Sequence, residues 1–465
     1  MEARKVDNTR LSSSKRTNPA IRRRPKQKKR STSWIWKGLA VVGTLSAIGG
    51  ASLGSFLSAT PFLHRQLTAA EASIFRQNNS FSRSTLQVPE VTQPVNILLL
   101  GIKTNLSDIR TDDRTALKQA GYNAESDSLD GLSDTMMLIR FDPVTKKVIV
   151  FGIPRDTKVE VNGKFVKINS IDQESGIGQA AKVISTSLNG VAIDKYVRMN
   201  NFGLEKLIDA LGGVTLTVPK DMKYQDDSQH FYVNLKAGKQ QLDGNKLLGF
   251  LRFRKDADGD LGRMQRQQIA IKAMLEQWVN PMNVARVPQL MSIVRSHVDT
   301  NLNVEEIIAL AGFASGSAKG QTQMMRMPGD YNGDGRHGTS YWLPDEAGIK
   351  SKMAQYFGHG EVDNTPIPIE KLRIRVQDTG YYPDATQRFL KTLEKSGYKH
   401  ISLDRNPKAL KENLDTTQIN VQYGGPVAGE LIKEKIGLGV VEVDSSGDLY
   451  ADITIKLGKD WSTKK

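Results

Sequence analysis

Val95-Asn96-Ile97-Leu98-Leu99-Leu100-Gly101 is the stretch on which the fold turns. An uncharged aliphatic run ended by glycine is the pattern of a short strand buried on both faces. Downstream, Thr135–Phe141 and Lys146–Gly152 read as two more strands, joined by the turn Asp142-Pro143-Val144-Thr145. Residues 157–161 and 165–168 form a hairpin about Asn162-Gly163. Helical patterns cover about 176–188 and 201–211, the second ended by Gly212-Gly213, and a strand follows at 214–218. Arg263–Trp278 is the most strongly periodic piece, with Met264, Ile271, Met274, Leu275 and Trp278 on its buried side. Further helix is expected at 285–296 and 303–314, and a closing strand at Gln323–Met327. Strands mixed with helices in this way predict an α/β (α+β) fold over 95–357, a mixed central sheet flanked by helices.

On the C-terminal side, 358–369 reads as a linker and 370–465 as a small α/β unit. Its strands are expected at 371–376, 401–403, 418–422, 440–443 and 449–455, and its helices at 384–396 and 426–435. The last two strands are expected to form a hairpin through Ser445-Ser446-Gly447-Asp448. Inside the main domain, 102–133 is a polar stretch without periodicity, of the length that is usually functional.

On the N-terminal side the charge pattern dominates. The 465-residue chain carries +15, and +11 of that lies in residues 1–37, a tail too polar to bury a core. The remainder is nearly neutral, which argues against nucleic-acid binding as the function. Gly38–Leu63 holds no charge over 26 residues, enough to cross a hydrocarbon core of about 30 Å. We expect a single transmembrane helix at 38–59, with Trp34 and Trp36 at the interface and the basic tail in the cytoplasm. Residues 60–94 form a stalk, and everything beyond faces outward. Gly50 and Gly54 offer a helix-pairing face for a homodimer. The absence of cysteine excludes disulfides, Cys-ligated metal centres and a thiol nucleophile.

Four polar clusters could carry chemistry: Ser133-Asp134-Thr135, Pro154-Arg155-Asp156, Lys167-Ile168-Asn169, and Arg252-Phe253-Arg254 followed by Asp256, Asp258, Asp260, Arg263, Arg266 and Gln267. If 250–254 is extended, Arg252 and Arg254 share a face. If a helix begins near Gly262, Arg263, Arg266 and Gln267 share another. Converging guanidiniums suit a phosphate or pyrophosphate, whose oxygens their planar forks pair bidentately. Asp330-Tyr331-Asn332-Gly333-Asp334-Gly335 resembles a calcium loop in part, but Tyr341 stands where the closing Glu belongs, so an Asx-rich turn is expected.

The order of Asn96–Gly101, Ser133–Leu138, Ile153–Asp156, Lys167–Asn169, Leu207–Val214, Leu242–Gly244 and Phe250–Gln268 resembles the LytR–CpsA–Psr family over about 95–330. Residues 371–457 resemble the small C-terminal domain that often follows it. The resemblance implies a membrane-anchored phosphotransferase of the bacterial plasma membrane. It would move a glycopolymer from a polyprenyl-diphosphate carrier onto a peptidoglycan hydroxyl through a phosphodiester, with an apolar groove for the lipid. It further implies that Arg155, Arg252, Arg254 and Arg263 clamp the pyrophosphate and that Lys167 and Gln267 complete the head-group site. Asp134 would be a metal or acid–base carboxylate, with Asp260 near a Mg²⁺ (or Mn²⁺) ion. Two positions depart from the family pattern: Lys103 stands where a second carboxylate is usual, and Leu132 where an arginine is. Lys103 is therefore a candidate phosphate ligand, beside Asn169. A polyprenyl-diphosphate-sugar pyrophosphatase and a non-catalytic, polymer-binding membrane regulator are the alternatives.

Overall fold

The computed structural model describes residues 67–76, 80–81, 89–103, 129–226, 231–253, 259–277, 287–316, 322–332, 340–361, 368–379, 383–404, 414–422, 425–444 and 451–462. All lie in Leu57–Lys465, one of the two units into which the chain divides. The expected membrane helix at 38–59, with Gly50 and Gly54, lies outside the described residues. Among the described residues no helix is long and apolar enough to cross a membrane.

A six-stranded mixed sheet forms the centre. In chain order its first strands are β1 (Val95–Lys103), β2 (Leu132–Asp142) and β3 (Lys147–Gly152). The hairpin β4 (Lys158–Val161) and β5 (Lys164–Lys167) follows, turned by Asn162 and Gly163, both at positive φ. Next come helix α1 (Ile171–Ser187), β6 (Lys195–Asn200) and helix α2 (Asn201–Leu211). The Asn200 side chain caps α2 by accepting from Gly203 N–H, and Gly212, at φ 85°, ends it in the left-handed region. Four short strands then make two hairpin-like pairs: β7 (Val214–Val218) with β10 (Gly238–Leu242), and β8 (Met222–Asp226) with β9 (Phe231–Leu235). Helices α3 (Gly244–Arg252), α4 (Gly259–Gln277) and α5 (Val287–His297) lead to β11 (Val298–Thr300), helix α6 (Val304–Gly316) and β12 (Thr322–Arg326). The strand order is β11-β6-β1-β2-β3-β12, with β1–β6 and β3–β12 parallel and the rest antiparallel. The small pair β13 (Gly329–Tyr331) and β14 (Trp342–Pro344) and helix α7 (Glu346–Phe357) complete this part. Asn332 Oδ1 accepts from Tyr341 N–H at 2.8 Å at the β13–β14 end, and Gly333–Gly335 of the expected Asx-rich turn lie outside the described residues.

Because both faces of β1 and β2 are apolar, the sheet serves two cores. Leu98, Leu100, Ile102, Met136 and Leu138 pack against α1 and α7, whereas Ile97, Met137, Ile139 and Phe141 face α6. A buried ion triad ties the far edge. Arg198 of β6 donates to Asp299 of β11 at 2.8 Å and to Asp172 of α1 at 3.0 Å, and Tyr196 hydroxyl donates to Asp299 at 3.1 Å. Burial alone would lower the Arg198 pKa, but the two carboxylates outweigh it and hold the guanidinium above its ordinary value.

The C-terminal sheet has β15 (Arg373–Asp378), helix α8 (Pro383–Lys395), β16 (His400–Leu403), β17 (Gln418–Val421), helix α9 (Gly425–Ile436), β18 (Val440–Val443) and β19 (Ile453–Leu457). Its order is β16-β15-β19-β17-β18, so the expected hairpin of the last two strands is corrected. β17 lies between them, pairing parallel with β18 and antiparallel with β19. Ile374, Val376, Ile419, Ile453 and Ile455 are fully buried there and fill the core against α8 and α9. That two-sided insertion of β17 gives each of these strands a paired neighbour.

Lys352 of α7 is 8% exposed, and its ammonium sits 5.4 Å from the centre of the Tyr356 ring. Burial pushes its pKa down from 10.5 to about 8. Between those two values the unfolded chain holds a proton that the folded one lacks, so folding stability rises with pH across that window. Below it the penalty of the buried charge is fully present, on the order of 3 kcal/mol at 1.36 kcal/mol per pKa unit. Lys352→Met should therefore stabilise the protein at pH 7, and the advantage should shrink by pH 10. Denaturant unfolding at both pH values checks this; an advantage that does not change with pH would refute it.

Candidate functional site

The face of β1 and β2 that looks toward α6 is only partly covered, and it floors a cavity of about 620 Å³. Alternation places Ile97, Leu99, Met137, Ile139 and Phe141 on that floor, while Ile271 and Met274 of α4 and Leu310 and Ala314 of α6 line the other side. The lining changes character along the strands. Near Phe141 and Ile97 it is apolar; toward the end where Lys103 pairs with Leu132 it becomes polar, with Lys103, Arg252 and Arg263 against Asp134 and Asp226, and Gln267 beside them. Apolar depth with a cationic mouth suits an amphiphile carrying a negative head.

Register explains how the mouth is built. β1 and β2 slip at Gly101/Ile102, beside Asp134. A side chain at 101 would bring a Cβ within 2.9 Å of the Thr135 Cβ, so glycine allows the close strand approach there. The slip is followed by the pairs Ile102↔Ser133 and Lys103↔Leu132. The two departures from the family pattern are thus cross-strand partners, a single local change.

Asp134 accepts from Arg155 Nη1 at 2.9 Å, and its second oxygen lies 3.9 Å from Arg263 Nη1. Asp156, buried behind, accepts from Lys167 Nζ at 2.7 Å and lies 3.5 Å from Arg155 Nε. Charges alternate along Lys167–Asp156–Arg155–Asp134–Arg263, which fixes long side chains at modest entropy cost. Gln267 donates to the Thr135 hydroxyl at 2.7 Å. Arg263 and Gln267 stand four residues apart on α4 and reach the same place, as their spacing predicted. Arg266 does not join them: it turns to the Phe253 carbonyl and ring. Asn169 is buried in a 3₁₀ turn, and its backbone N–H donates to the Arg155 carbonyl at 3.3 Å. Arg155, Lys167 and Asn169 are all absent from the cavity lining: Arg155 adjoins the mouth through Asp134, and Lys167 and Asn169 stand behind Arg155 and Asp156.

The extended reading is corrected over 250–252. Asp243 caps α3 by accepting from Lys246 N–H, and the helix runs through Arg252, which is its last residue. There the Arg252 guanidinium stacks 4.2 Å from the centre of the Phe231 ring, at the mouth. Arg254 lies outside the described residues, as do Asp256, Asp258 and the side chain of Asp260. The Phe231 stack joins α3 to β9, a meeting of which the local pattern holds no sign, whereas Asp156 sits in the Pro154-Arg155-Asp156 cluster and its pair with Lys167 spans only the β4–β5 hairpin.

Among the described residues no group of three Asp, Glu or His side chains could hold a metal ion. Both oxygens of Asp134 already face guanidiniums, so a Mg²⁺ (or Mn²⁺) ion there would depend on oxygens brought by substrate phosphates.

Residues 62–356 match the LytR_cpsA_psr family, and 371–461 match the LytR cell envelope-related transcriptional attenuator domain. Among similar proteins is the polyisoprenyl-teichoic acid–peptidoglycan teichoic acid transferase TagV of Bacillus subtilis, 27% identical over 315 residues, 65% of this chain and 74% of TagV. Its namesake TagU of Oceanobacillus iheyensis is 27% identical over 351 residues, 72% of this chain and 97% of TagU. The regulatory protein MsrR of Staphylococcus aureus is 34% identical over 173 residues, 37% of this chain and 51% of MsrR. A crystal structure of B. subtilis TagV aligns over 58% of this chain and 99% of that one, at 25% identity and a TM-score of 0.47.

Ala311 of α6 lines the apolar part of the cavity. Ala311→Trp should narrow it and weaken binding of a long-chain alkyl phosphate by roughly tenfold, about 1.4 kcal/mol. Titration calorimetry on the variant and parent checks this, with unchanged affinity as the opposing result.

Proposed function

Because the chain belongs to the LytR–CpsA–Psr family, we propose that it is a phosphotransferase that moves a glycopolymer from a polyprenyl-diphosphate carrier to a peptidoglycan hydroxyl. Its relatives named as teichoic acid–peptidoglycan transferases support the reaction class. The observation that carries the reading is the cavity itself, apolar in depth and cationic at its mouth. A polyprenyl chain would occupy the apolar part, leaving its diphosphate among Lys103, Arg155, Arg252 and Arg263. We place the protein at the bacterial plasma membrane, with a cytoplasmic tail at 1–37, a membrane helix at 38–59 and the catalytic domain outside; the expected stalk at 60–94 is corrected, because its Phe75 and Val91 are buried in the two cores of that domain. We also propose that Gly50 and Gly54 pair two copies within the membrane.

In the proposed reaction the acceptor hydroxyl oxygen attacks the sugar-linked phosphorus. A new P–O bond forms, the bridging P–O bond breaks, and polyprenyl phosphate leaves with its electron pair. Negative charge grows on the bridging and equatorial oxygens, where Arg155, Arg252 and Arg263 supply fixed donors. Lys103 adds a cation from the opposite strand. Gln267, held by Thr135, sets the position of the head group, and Lys167 acts behind it by holding Asp156 against Arg155. Asp134 is the carboxylate at the cavity mouth and is suited to take the hydroxyl proton; Asp156 is sealed behind it by Lys167 and Arg155. Asp134 and Asp260 would hold a Mg²⁺ (or Mn²⁺) ion, which would neutralise phosphate charge when bound.

Incubation with a synthetic polyprenyl-diphosphate sugar and peptidoglycan fragments tests the reading. A phosphodiester-linked product is expected. Release of sugar phosphate without an acceptor product would make the protein a pyrophosphatase, and tight polymer binding with no turnover would make it a regulator. Arg155→Ala and Arg252→Ala should each lower kcat/KM by about 10²-fold or more while circular dichroism stays native. Chelation should lower the rate if the ion takes part, and diphosphate affinity with and without Mg²⁺ gives an independent measure.

A further inference from the structure

Helix α4 carries two adjacent stripes with different duties. Arg263, Gln267, Ile271 and Met274 face the cavity. Met264, Gln268 and Lys272, spaced four residues apart, dock the helix. Met264 and Gln268 approach Gly152 of β3, and Gln268 Nε2 donates to the Met325 carbonyl of β12 at 3.1 Å. Lys272 reaches beyond the central sheet. Its ammonium pairs with Asp444 at 2.7 Å and with Glu442 at 3.6 Å, both from the C-terminal unit. The Asp444 side chain is only 3% exposed, so this pair is largely withdrawn from water.

The backbone joins at the same place. β12 and β18 are edge strands of their sheets, and Met324 and Asp444 form an isolated parallel bridge between them. Val443, beside Asp444, is buried in the same core as β1 and β2. A charge pair, a backbone bridge and an apolar contact therefore converge within two residues of the end of β18.

We propose that the C-terminal unit braces α4, with Lys272 and Asp444 as positioning residues that set the rotation of the helix and hence the placement of Arg263 and Gln267. The two stripes are offset by one residue, so a helix that rolls on its docking stripe must swing the cavity stripe with it. A shift of about 1 Å at a site of this kind can cost up to 10²-fold in rate. The brace rests on the proposed function only for its effect on ligand; its effect on α4 does not.

The test uses the full chain in detergent, with Lys272→Met, Asp444→Asn, the double variant and Lys272→Arg. Two quantities are read: backbone amide exchange of residues 263–268, and affinity for farnesyl diphosphate. Each single loss should speed exchange over 263–268 and weaken farnesyl diphosphate, both by roughly tenfold, and the double variant should be no worse than the singles. Lys272→Arg keeps the cation and should restore both. Unchanged exchange over 263–268 in Lys272→Met and Asp444→Asn would overturn the brace, and so would effects of the two singles that simply add. If the parent protein binds no farnesyl diphosphate, the functional reading fails, and the exchange data still decide the brace.

Discussion

An apolar sheet face must be covered, and β1 and β2 have two such faces. On one, Leu98, Leu100 and Ile102 are sealed under α1 and α7. On the other, α4 and α6 cover the strands but leave room between, and the cavity occupies it. Everything functional depends on that asymmetry. Were both faces packed alike, the arginines at the end of the strands would guard a solid core. The buried Arg198 triad matters for the same reason, because it fixes β11 and β6, whose Val298, Thr300, Val197 and Met199 form one wall.

The charged mouth solves a second problem, that of holding cations close together before any phosphate arrives. Asp134 and Asp156 stand between Arg155, Arg263 and Lys167, so each guanidinium or ammonium near them has a partner in the resting protein. The cations still outnumber the carboxylates once Lys103, Arg252 and Asp226 are included, which leaves a net attraction for an anion. Such preorganisation avoids the reorganisation that water or loose side chains would require. Lys103 opposite Leu132 shifts this balance further toward positive charge in this chain.

Local patterns announced most elements to within a few residues. The β4–β5 turn was legible because Asn162-Gly163 needs positive φ at both positions. The α2 end was legible because Gly212 can adopt the left-handed cap. Arg263 and Gln267 were brought together by a helical spacing that any strongly periodic segment would show. Arg252 misled because its alternation with Arg254 looked like strand, while Asp243 as an N-cap, the signal for a helix, sat nine residues earlier. The order of β17, β18 and β19 was hidden for another reason: parallel pairing is decided by which edge is free in space, and sequence neighbours give no hint of it. The same limit concealed the meeting of Arg252 with Phe231 and of Lys272 with Asp444.

The bridge between β12 and β18 has a further consequence for how the chain tolerates being cut. Edge strands left open invite pairing with another copy of themselves. Thr322–Arg326 is the last strand of the central sheet, and Met324 and Met325 within it are fully buried. A chain ending before the C-terminal unit would expose part of that edge, together with the neighbouring core that Val443 covers. The C-terminal unit thus shields an edge and a core that the central sheet would otherwise leave open, and solubility becomes a reason for the two to travel on one polypeptide.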